Sequence, residues 1–271
     1  LPWSVEEGFK KNVLKSIEKI IVFASSKVFV NSKNLLFYLK SENIKGRKIN
    51  LLGSGTSNGI DTNYFSNTIE VKQNVEQLLI ENNVNHNSFI WLFVGRVVKD
   101  KGIQELIEAF VKIQEKFPDD LLWIVGNEER ELDPIDEDYR NFLHSNHSVK
   151  LFGFQKDVRQ YYSAANILVF PSYREGFPNV PMQAALMDCG LILSDINGCN
   201  EIVSHQVSGL LVQPKSSKDL FEKMLFSREN EKLIHQYKQK AKLHISSNFN
   251  QDVVWKNLLN EYKNLIAENG L

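Results

Sequence analysis

The sequence predicts an α/β fold, a Rossmann-like parallel sheet with helices on both of its faces, preceded by part of another domain. Short runs rich in Val, Ile, Leu and Phe alternate along the 271 residues with amphipathic stretches of helical spacing. The runs are continuously apolar, which is typical of parallel strands buried on both faces. The regular alternation of strands and helices favours a doubly wound arrangement.

The predicted strands and helices follow one another in a regular order. The strands cover Lys27–Val30, Ile49–Leu52, Phe89–Val94, Leu121–Val125, Val149–Phe152, Ile167–Phe170, Leu191–Ser194 and Gly209–Val212. The helices cover Gly102–Phe117, Val158–Ala165, Val180–Met187, Lys218–Phe226, Glu229–Ser247 and Gln251–Asn269. In the first of these helices the apolar residues recur along one side, which is the pattern of a helix with one buried face.

A turn-forming, glycine-rich segment, Gly53–Gly59, separates two parts of unequal size. Too few strands precede it for a complete sheet, whereas the other predicted strands follow it. We therefore predict that residues 1–65 are the C-terminal remnant of an upstream domain with its hinge. Residues 66–271 are predicted to form a complete Rossmann-like domain with C-terminal helices. Because the chain begins with Leu1 instead of methionine, we expect it to be a fragment or a processed chain.

Composition argues against several classes of function. Lysine and arginine number 32 against 33 acidic residues, so no bulk attraction to nucleic acid is expected. The two cysteines, Cys189 and Cys199, are too few for a disulfide scaffold or a cysteine zinc site and fit a reducing compartment. No apolar run approaches the ~18 residues of a membrane span, and no signal segment opens the chain. We expect a cytoplasmic protein.

The N-terminal stretch is amphipathic. Four apolar residues at helical spacing share it with four lysines: Phe9, Val13, Ile17 and Ile20 with Lys10, Lys11, Lys15 and Lys19. A basic amphipathic helix binds anionic membrane surfaces, whereas a solvated helix face is the commoner use of such a pattern. Peripheral contact with the inner face of the cytoplasmic membrane is one expectation, and ordinary solvation is the other.

Two basic residues follow the predicted strand that ends at Val94. Arg96 comes directly after Gly95, and Lys101 precedes the next helix. In open α/β sheets, ligands bind beyond the C-terminal ends of the strands. An arginine fork, a lysine charge and a helix N-terminus together suit a diphosphate. Taken alone, the pattern is explained about equally well by solvated loop charges.

The loop after the strand ending at Phe170 runs into another helix as Pro171-Ser-Tyr-Arg-Glu-Gly-Phe-Pro-Asn-Val180. Its N–H groups and the helix start predict an anion cradle, and the Glu175 carboxylate suits the vicinal hydroxyls of a sugar. Gln183 lies farther along the same helix. A helix-start acid and a polar helix surface are the plainer interpretations of these two residues, but neither explains the whole string.

A third strand end, Asp195–Ile202, again has a glycine followed by a short helix. Within it, Cys199 is interpreted as a small packing residue, because no partner histidine is indicated. No metal site is expected, since His144 and His147 form an isolated pair and the acids at 136–138 fit a helix start.

These motifs occur in a fixed order that resembles one family. The quoted strings are Asn58-Gly59-Ile60-Asp61, Gly95-Arg96…Lys101-Gly102, Pro171 to Val180, Asp195-Ile196-x-Gly198-Cys199-x-Glu201 and Gly209-Leu210-Leu211-Val212. Together they resemble the retaining GT-B glycosyltransferases of family GT4, and most closely the bacterial members that build capsule, O-antigen or lipid-linked oligosaccharides. The resemblance covers roughly residues 20–265 and implies two Rossmann-like domains facing a cleft.

The resemblance implies roles for individual residues. Arg96 and Lys101 would bind the donor diphosphate, and Glu175 would bind hydroxyls of the donor sugar, so that these three form the catalytic centre. Further donor contacts would come from Gly95, Gly176, Phe177, Pro178, Asn179 and Val180. Gln183 stands where the family's E-x7-E pattern usually has a second acid that accepts the ribose hydroxyls. An amide there lacks charge assistance, which predicts weaker donor binding.

The implied reaction is transfer of a hexose or N-acetylhexosamine from a nucleotide-sugar, UDP-linked by resemblance, to a cell-surface glycan or lipid-linked acceptor. Arg96 and Lys101 would stabilise the leaving diphosphate without a metal or other cofactor. Retention would follow same-face attack assisted by the donor phosphate. This chain would be the donor-binding part, inactive alone, because the missing N-terminal domain would bind the acceptor. Two alternatives remain, a non-catalytic nucleotide-sugar-binding module and a GT-B sugar-nucleotide epimerase.

Overall fold

The computed structural model describes residues 7–42, 44, 48–268 and 270. Contacts between Cα atoms group the chain into two compact units. The larger unit is Gly59–Val253, and the smaller unit combines the residues up to Asn58 with those from Val254 onward. The larger unit has two buried apolar clusters and the smaller unit has one.

The smaller unit is built around two short parallel strands. Its elements are α1 (Gly8–Ala24), β1 (Val28–Val30), α2 (Lys33–Ser41), β2 (Ile49–Leu51) and most of α11 (Gln251–Glu268). Val28 pairs with Ile49 in the parallel ladder. The Ser32 side chain caps α2 by accepting a hydrogen bond from the Leu35 N–H at 3.1 Å. The buried cluster contains Val22, Val30, Leu39, Ile44 and Ile49.

One side of α1 carries large apolar residues exposed to solvent. Phe9 and Phe23 are 86% and 84% exposed, and Val13, Ile17 and Ile20 are also exposed. Val22 is the one residue of the helix that is fully buried. Among the helices in the described part of the chain, none combines the length and the apolar composition needed to cross a membrane.

The larger unit contains a six-stranded parallel sheet with helices on both faces. Its elements are α3 (Ile69–Glu81), β3 (Ile90–Val94), α4 (Ile103–Lys116), β4 (Leu121–Val125), α5 (Glu137–Ser145), β5 (Val149–Leu151), α6 (Arg159–Ala164), β6 (Ile167–Phe170), α7 (Asn179–Leu186), β7 (Gly190–Ser194), α8 (Cys199–Ile202), β8 (Leu210–Val212), α9 (Ser217–Glu229) and α10 (Glu231–Asn248). The strand order is β5-β4-β3-β6-β7-β8. The chain builds outward from β3 to one edge and then returns to β6 beside β3, which makes the gap between these strands the topological switch point.

The central strand β3 contributes side chains to the apolar clusters on both faces of this sheet. Trp91 and Phe93 lie in the cluster that includes α4 and α9, whereas Ile90, Leu92 and Val94 lie in the cluster that includes α3, α6, α7 and α10. Trp91, Leu92 and Phe93 have no exposed surface. Burial of each such side chain contributes about 1.5–3 kcal/mol. The continuous apolar run therefore produces a strand covered on both faces, as predicted.

The predicted α/β fold and its parallel strands are confirmed, with strand ends that differ by about one residue. Asn269, the predicted end of the last helix, lies outside the described residues. Helix α3 is not among the predicted helices. Its signals are local and weak: Thr68 caps the helix by accepting from the Val71 N–H at 3.3 Å, and few residues are buried. A helix with a narrow apolar stripe is hard to separate from a loop by periodicity alone.

The division at Asn58–Gly59 lies before the boundary predicted near residue 65, and residues from Val254 onward group with the smaller unit. Backbone hydrogen bonds explain why residues just after Asn58 belong to the larger unit. The Ile60 N–H donates to the Phe249 carbonyl at 2.8 Å, and the Gln251 N–H donates to the Ile60 carbonyl at 3.0 Å. Gly59 approaches the Gln251 backbone so closely that a Cβ there would lie 2.6 Å from the Gln251 Cα.

Candidate functional site

The loops that carry the predicted site residues lie at the switch point of the large sheet. The loop from Gly95 to Gly102 follows β3, the loop from Pro171 to Pro178 follows β6, and the loop from Asp195 to Gly198 follows β7. Because β3 pairs with β6 and β6 pairs with β7, all in parallel, their C-terminal ends lie at the same edge. This crevice is where open α/β sheets bind ligands.

Three glycines allow the loops to pack backbone against backbone. A Cβ on Gly102 would lie 2.2 Å from the Pro171 carbonyl oxygen, and one on Gly198 would lie 2.3 Å from the Gly176 carbonyl oxygen. A Cβ on Gly126, which follows β4, would lie 1.8 Å from the Gly95 carbonyl oxygen. All three have positive φ, at +70°, +80° and +145°. No other residue type fits these positions without movement of the facing backbone.

Hydrogen bonds add to these close approaches. The Asn197 Nδ2 donates to the Gly176 carbonyl at 2.8 Å and to the Glu175 carbonyl at 3.3 Å. The Tyr173 N–H donates to the Asp100 carbonyl at 2.9 Å. The backbone on either side of Glu175 is thus attached to both neighbouring loops.

Lys101 and Glu175 form an ion pair. The Lys101 Nζ lies 2.5 Å from the Glu175 Oε1, and the two side chains are only 17% and 15% exposed. The same ammonium lies 6.0 Å from the centre of the Phe170 ring. These two residues, which are predicted to bind different parts of one ligand, are in direct contact in the structure. Each charge is therefore neutralised by the other when no ligand is bound.

Arg96 has a different environment. It is exposed and lines a cavity of about 650 Å³ together with Val98, Lys99, Asp100, Leu132, Asp133, Tyr173 and Arg174. Lys99 pairs with Asp136 at 2.7 Å, and Arg174 pairs with Asp100 at 3.1 Å. Within the described residues, the Arg96 guanidinium forms no hydrogen bond or ion pair, including none with Lys101 or Glu175. Its five donors are open to an anion.

The predicted donor-binding residues 176–180 bracket the start of α7. Pro178 is the N-cap residue, and no side chain caps the first turn, which begins at Asn179. The Phe177 ring packs at 5.1 Å on the Phe249 ring, and the Val180 side chain packs against the buried cluster. The side chains of Phe177 and Val180 therefore support the loop by apolar packing.

Gln183 is partly buried on α7, where its side-chain oxygen has a fixed partner. The Tyr162 hydroxyl donates to the Gln183 Oε1 at 2.9 Å. Burial raises the pKa of Tyr162 well above its usual value, so its hydroxyl keeps the proton. The remaining polar atom of Gln183 is its amide nitrogen, which donates where a carboxylate would accept.

Cys199 lies close to the ion pair without the properties of a nucleophile. Burial raises the pKa of the Cys199 thiol, and the charge of Glu175 raises it further, against a smaller opposing effect of Lys101. A protonated, buried thiol is unreactive, which agrees with its interpretation as a packing residue.

In the described parts of the chain, no three histidine, cysteine or acidic side chains come close enough to share a metal ion. The His144 Nε2 instead contacts Glu128 at 2.8 Å.

Sequence reasoning missed three residues that shape this site: Gly126, Tyr162 and Asn197. A signal existed for Gly126, because it follows β4 as Gly95 follows β3. Tyr162 and Asn197 gave no such signal. Their roles depend on contacts with Gln183 and Gly176, which lie on other elements and about 20 residues away in the sequence.

Comparison with known proteins identifies the family of this chain. The profile of the family described as "Glycosyl transferases group 1" matches residues 74–244, most of the larger unit. The capsular polysaccharide biosynthesis glycosyltransferase CapM of Staphylococcus aureus is 31% identical over 97% of this chain and 68% of its own length. A Campylobacter jejuni relative, N,N'-diacetylbacillosaminyl-diphospho-undecaprenol alpha-1,3-N-acetylgalactosaminyltransferase, is 29% identical over 92% of this chain and 62% of its own length.

A solved structure shares the fold. Anabaena Alr3699/HepE in complex with UDP superposes with a TM-score of 0.75 at 20% identity, covering 89% of this chain and 64% of that one. The chain thus spans about two thirds of the length of these proteins.

Proposed function

Because the chain belongs to the group 1 glycosyl transferases, we propose that the full-length protein transfers a hexose or N-acetylhexosamine from a UDP-sugar with retention of configuration. The observation that carries this proposal is the set of cations at the switch point. Arg96 is unengaged beside a cavity, and Lys101 is paired with Glu175 on the neighbouring loop. UDP bound to HepE, which shares the fold, supports the choice of nucleotide.

The chemistry assigns a role to each of these side chains. As the bond from the sugar C1 to the diphosphate oxygen breaks, negative charge grows on the leaving group. Arg96 and Lys101 stabilise that charge, and the start of α7 contributes its N–H groups. Glu175 accepts hydrogen bonds from the donor sugar, and Gln183 contacts the ribose. Because these cations neutralise the leaving group, the proposed reaction uses no metal or cofactor.

The new bond forms on the same face of the sugar. The acceptor hydroxyl attacks C1, and its proton passes to an oxygen of the departing phosphate, so no protein nucleophile is needed. This route agrees with the buried, protonated state of Cys199, the one thiol close to the ion pair.

The acceptor is proposed to be a growing cell-surface glycan or a lipid-linked saccharide. The relatives' names support this, since one belongs to capsule biosynthesis and the other names a diphospho-undecaprenol substrate. We assign acceptor binding mainly to an N-terminal domain that this chain would contribute to only in part. This chain would then be the donor-binding part of the enzyme.

The test is calorimetric titration of the full-length protein with UDP in buffer containing EDTA. Arg96→Ala is expected to weaken UDP binding about 10- to 100-fold, because hydrogen bonds to charged groups contribute about 1.5–3 kcal/mol. Lys99→Ala is the matched control, since Lys99 lines the same cavity but pairs with Asp136, and less than a threefold change is expected. Equal losses in both variants, or no binding of UDP by the wild type, would contradict the proposal. UDP binding without sugar transfer would identify a binding module.

We also propose that α1 docks the enzyme on the inner face of the cytoplasmic membrane. The helix carries four lysines and one acid, Glu18, beside exposed apolar residues that include Phe9 and Phe23. This combination suits an anionic bilayer, where the apolar side enters the headgroup region and flanking lysines meet the phosphates. Lys15 is already paired with Glu42. A lipid-linked acceptor would be reached from that position.

Vesicle co-sedimentation of the full-length protein tests this docking. The Phe9→Ser/Phe23→Ser variant is expected to bind anionic phosphatidylglycerol vesicles at least ~10-fold more weakly than the wild type, because each buried phenylalanine contributes about 1.5–3 kcal/mol. Leu243→Ser is the control, because Leu243 is also exposed, at 68%, but lies on α10. If the double variant sediments like the wild type, α1 does not dock the protein on the bilayer.

A further inference from the structure

The Lys101–Glu175 ion pair can do more than provide one ligand contact from each residue. We propose that it is an exchange device: the donor's diphosphate displaces Glu175 from Lys101, and the donor's sugar then satisfies the freed carboxylate. This inference rests on the proposed function. Its consequence is that the site discriminates against a nucleoside diphosphate without a sugar, which takes Lys101 and leaves Glu175 without a partner.

The Lys101–Glu175 pair is shielded from solvent. Both side chains are more than four-fifths shielded from solvent, and Nζ and Oε1 are 2.5 Å apart. Breaking a shielded pair from one side leaves an uncompensated charge, which costs far more than breaking a pair at the surface. A diphosphate that engages Lys101 adds negative charge near Glu175 and increases that cost.

The backbone of Glu175 is held by the loop that follows β7. Asn197 donates to the carbonyls of Glu175 and Gly176, and Gly198 packs directly on the Gly176 carbonyl. These contacts hold the backbone that carries Glu175. Of the neighbouring cations, Arg174 is paired with Asp100, and the described residues include no second ion pair for Glu175.

The donor's sugar can replace the partner that Glu175 loses. A carboxylate accepts hydrogen bonds and has no proton to donate near neutral pH. The hydroxyls of a sugar on the diphosphate supply donors to the same carboxylate that has lost the ammonium. The hydroxyls of UDP are all on its ribose, and beyond the diphosphate, where the sugar would be, UDP has no hydrogen-bond donor for Glu175. The sugar thus contributes to binding by its own contacts and by removing the cost of an isolated Glu175.

Glu175→Gln in the full-length protein tests the device, because glutamine keeps the shape and removes the charge. Titrations use UDP and whichever of UDP-glucose, UDP-galactose, UDP-N-acetylglucosamine and UDP-N-acetylgalactosamine binds the wild type most tightly. The variant is expected to bind UDP about fivefold more tightly, because Lys101 is released, and to bind the UDP-sugar no more tightly than the wild type. The affinities for UDP and for the UDP-sugar therefore change in opposite directions, or only the affinity for UDP changes.

Two further variants separate this effect from general electrostatics. Asp100→Asn removes one negative charge from the same loops without releasing Lys101, because Asp100 pairs with Arg174. It is expected to shift the affinities for UDP and the UDP-sugar alike. In a Lys101→Met background, Glu175→Gln is expected to have no effect on UDP affinity.

The exchange would be overturned if Glu175→Gln weakened the binding of both UDP and the UDP-sugar, or if it left the affinity for UDP unchanged. Either result would leave the proposed function intact. A wild-type protein that binds neither UDP nor any of the four UDP-sugars would instead overturn the proposed function, and the exchange with it.

Discussion

Replacing Gly126 by alanine is expected to destabilise the protein by about 3–5 kcal/mol and to lower UDP affinity at least ~100-fold, from backbone strain and overpacking combined. The added Cβ would lie 1.8 Å from the Gly95 carbonyl oxygen, which is backbone and cannot rotate away. The loop after β3 must move, and it carries Arg96. Two backbone hydrogen bonds are also at risk, from the Gly95 N–H to Val125 at 2.9 Å and from the Gly126 N–H to Gly153 at 2.8 Å.

Gly153→Ala is the matched control for this prediction. Gly153 follows β5, has a positive φ of +62°, and a Cβ there would meet nothing within 4 Å. Its cost is the conformational strain alone, about 1 kcal/mol. Urea denaturation gives the stabilities and calorimetry gives the UDP affinities. Equal effects of the two substitutions would show that the contact between Gly126 and Gly95 is unimportant.

Much of the fold was predictable because its main determinant is local in the sequence. The run from Phe89 to Val94 is apolar at every position, and a strand covered on both faces is the structure that such a run favours. The helix α4 was equally clear, since its buried residues recur along one side. The helix α3 lacked so broad a stripe, and its Thr68 cap was its main local signal.

The candidate site was predictable only to the level of which loops carry it. Strand ends place Arg96, Lys101 and Glu175 at one edge of the sheet, because parallel strands share a direction. Contacts between side chains that are far apart in the sequence depend on how the strands and helices pack, which local sequence patterns do not show. Lys101 and Glu175 are 74 residues apart, and their pairing follows from the adjacency of β3 and β6. The donation from Tyr162 to Gln183 likewise requires α6 and α7 to pack together.

Arg228→Met is expected to lower the free energy of unfolding by about 3 kcal/mol at pH 7, because it leaves a buried carboxylate without its cation. Asp120 is 1% exposed and accepts hydrogen bonds from the Trp91 Nε1 at 3.0 Å and from the Arg228 Nε at 3.2 Å. The Arg228 guanidinium also lies between two rings, 4.6 Å from the centre of Phe89 and 4.8 Å from that of Phe117. Methionine keeps the apolar stem in this position and removes only the charged group.

The pH dependence of this loss follows from the titration of Asp120. Burial raises the pKa of Asp120 above its usual value, in spite of the opposing effects of Trp91 and Arg228. An acid whose pKa is higher in the folded state than in the unfolded state favours folding at low pH, and this contribution is lost as the pH rises through the folded-state pKa. Removal of Arg228 raises the pKa further. The difference between wild type and variant should therefore be smaller at pH 5 than at pH 7.

Two variants complete the experiment. Asp120→Asn/Arg228→Met is expected to recover stability to within about 1 kcal/mol of the wild type, because a neutral amide oxygen still accepts from the Trp91 indole. Lys242→Met breaks an exposed pair with Asp188 and should cost less than about 1 kcal/mol. Urea denaturation at both pH values measures all of them. Two results would contradict this prediction: a loss of stability in Arg228→Met no larger than in Lys242→Met, or a loss that does not change with pH. Either result would mean that solvent or the surrounding backbone compensates the charge of Asp120. Arg228 would then serve only to pack against the two phenylalanine rings.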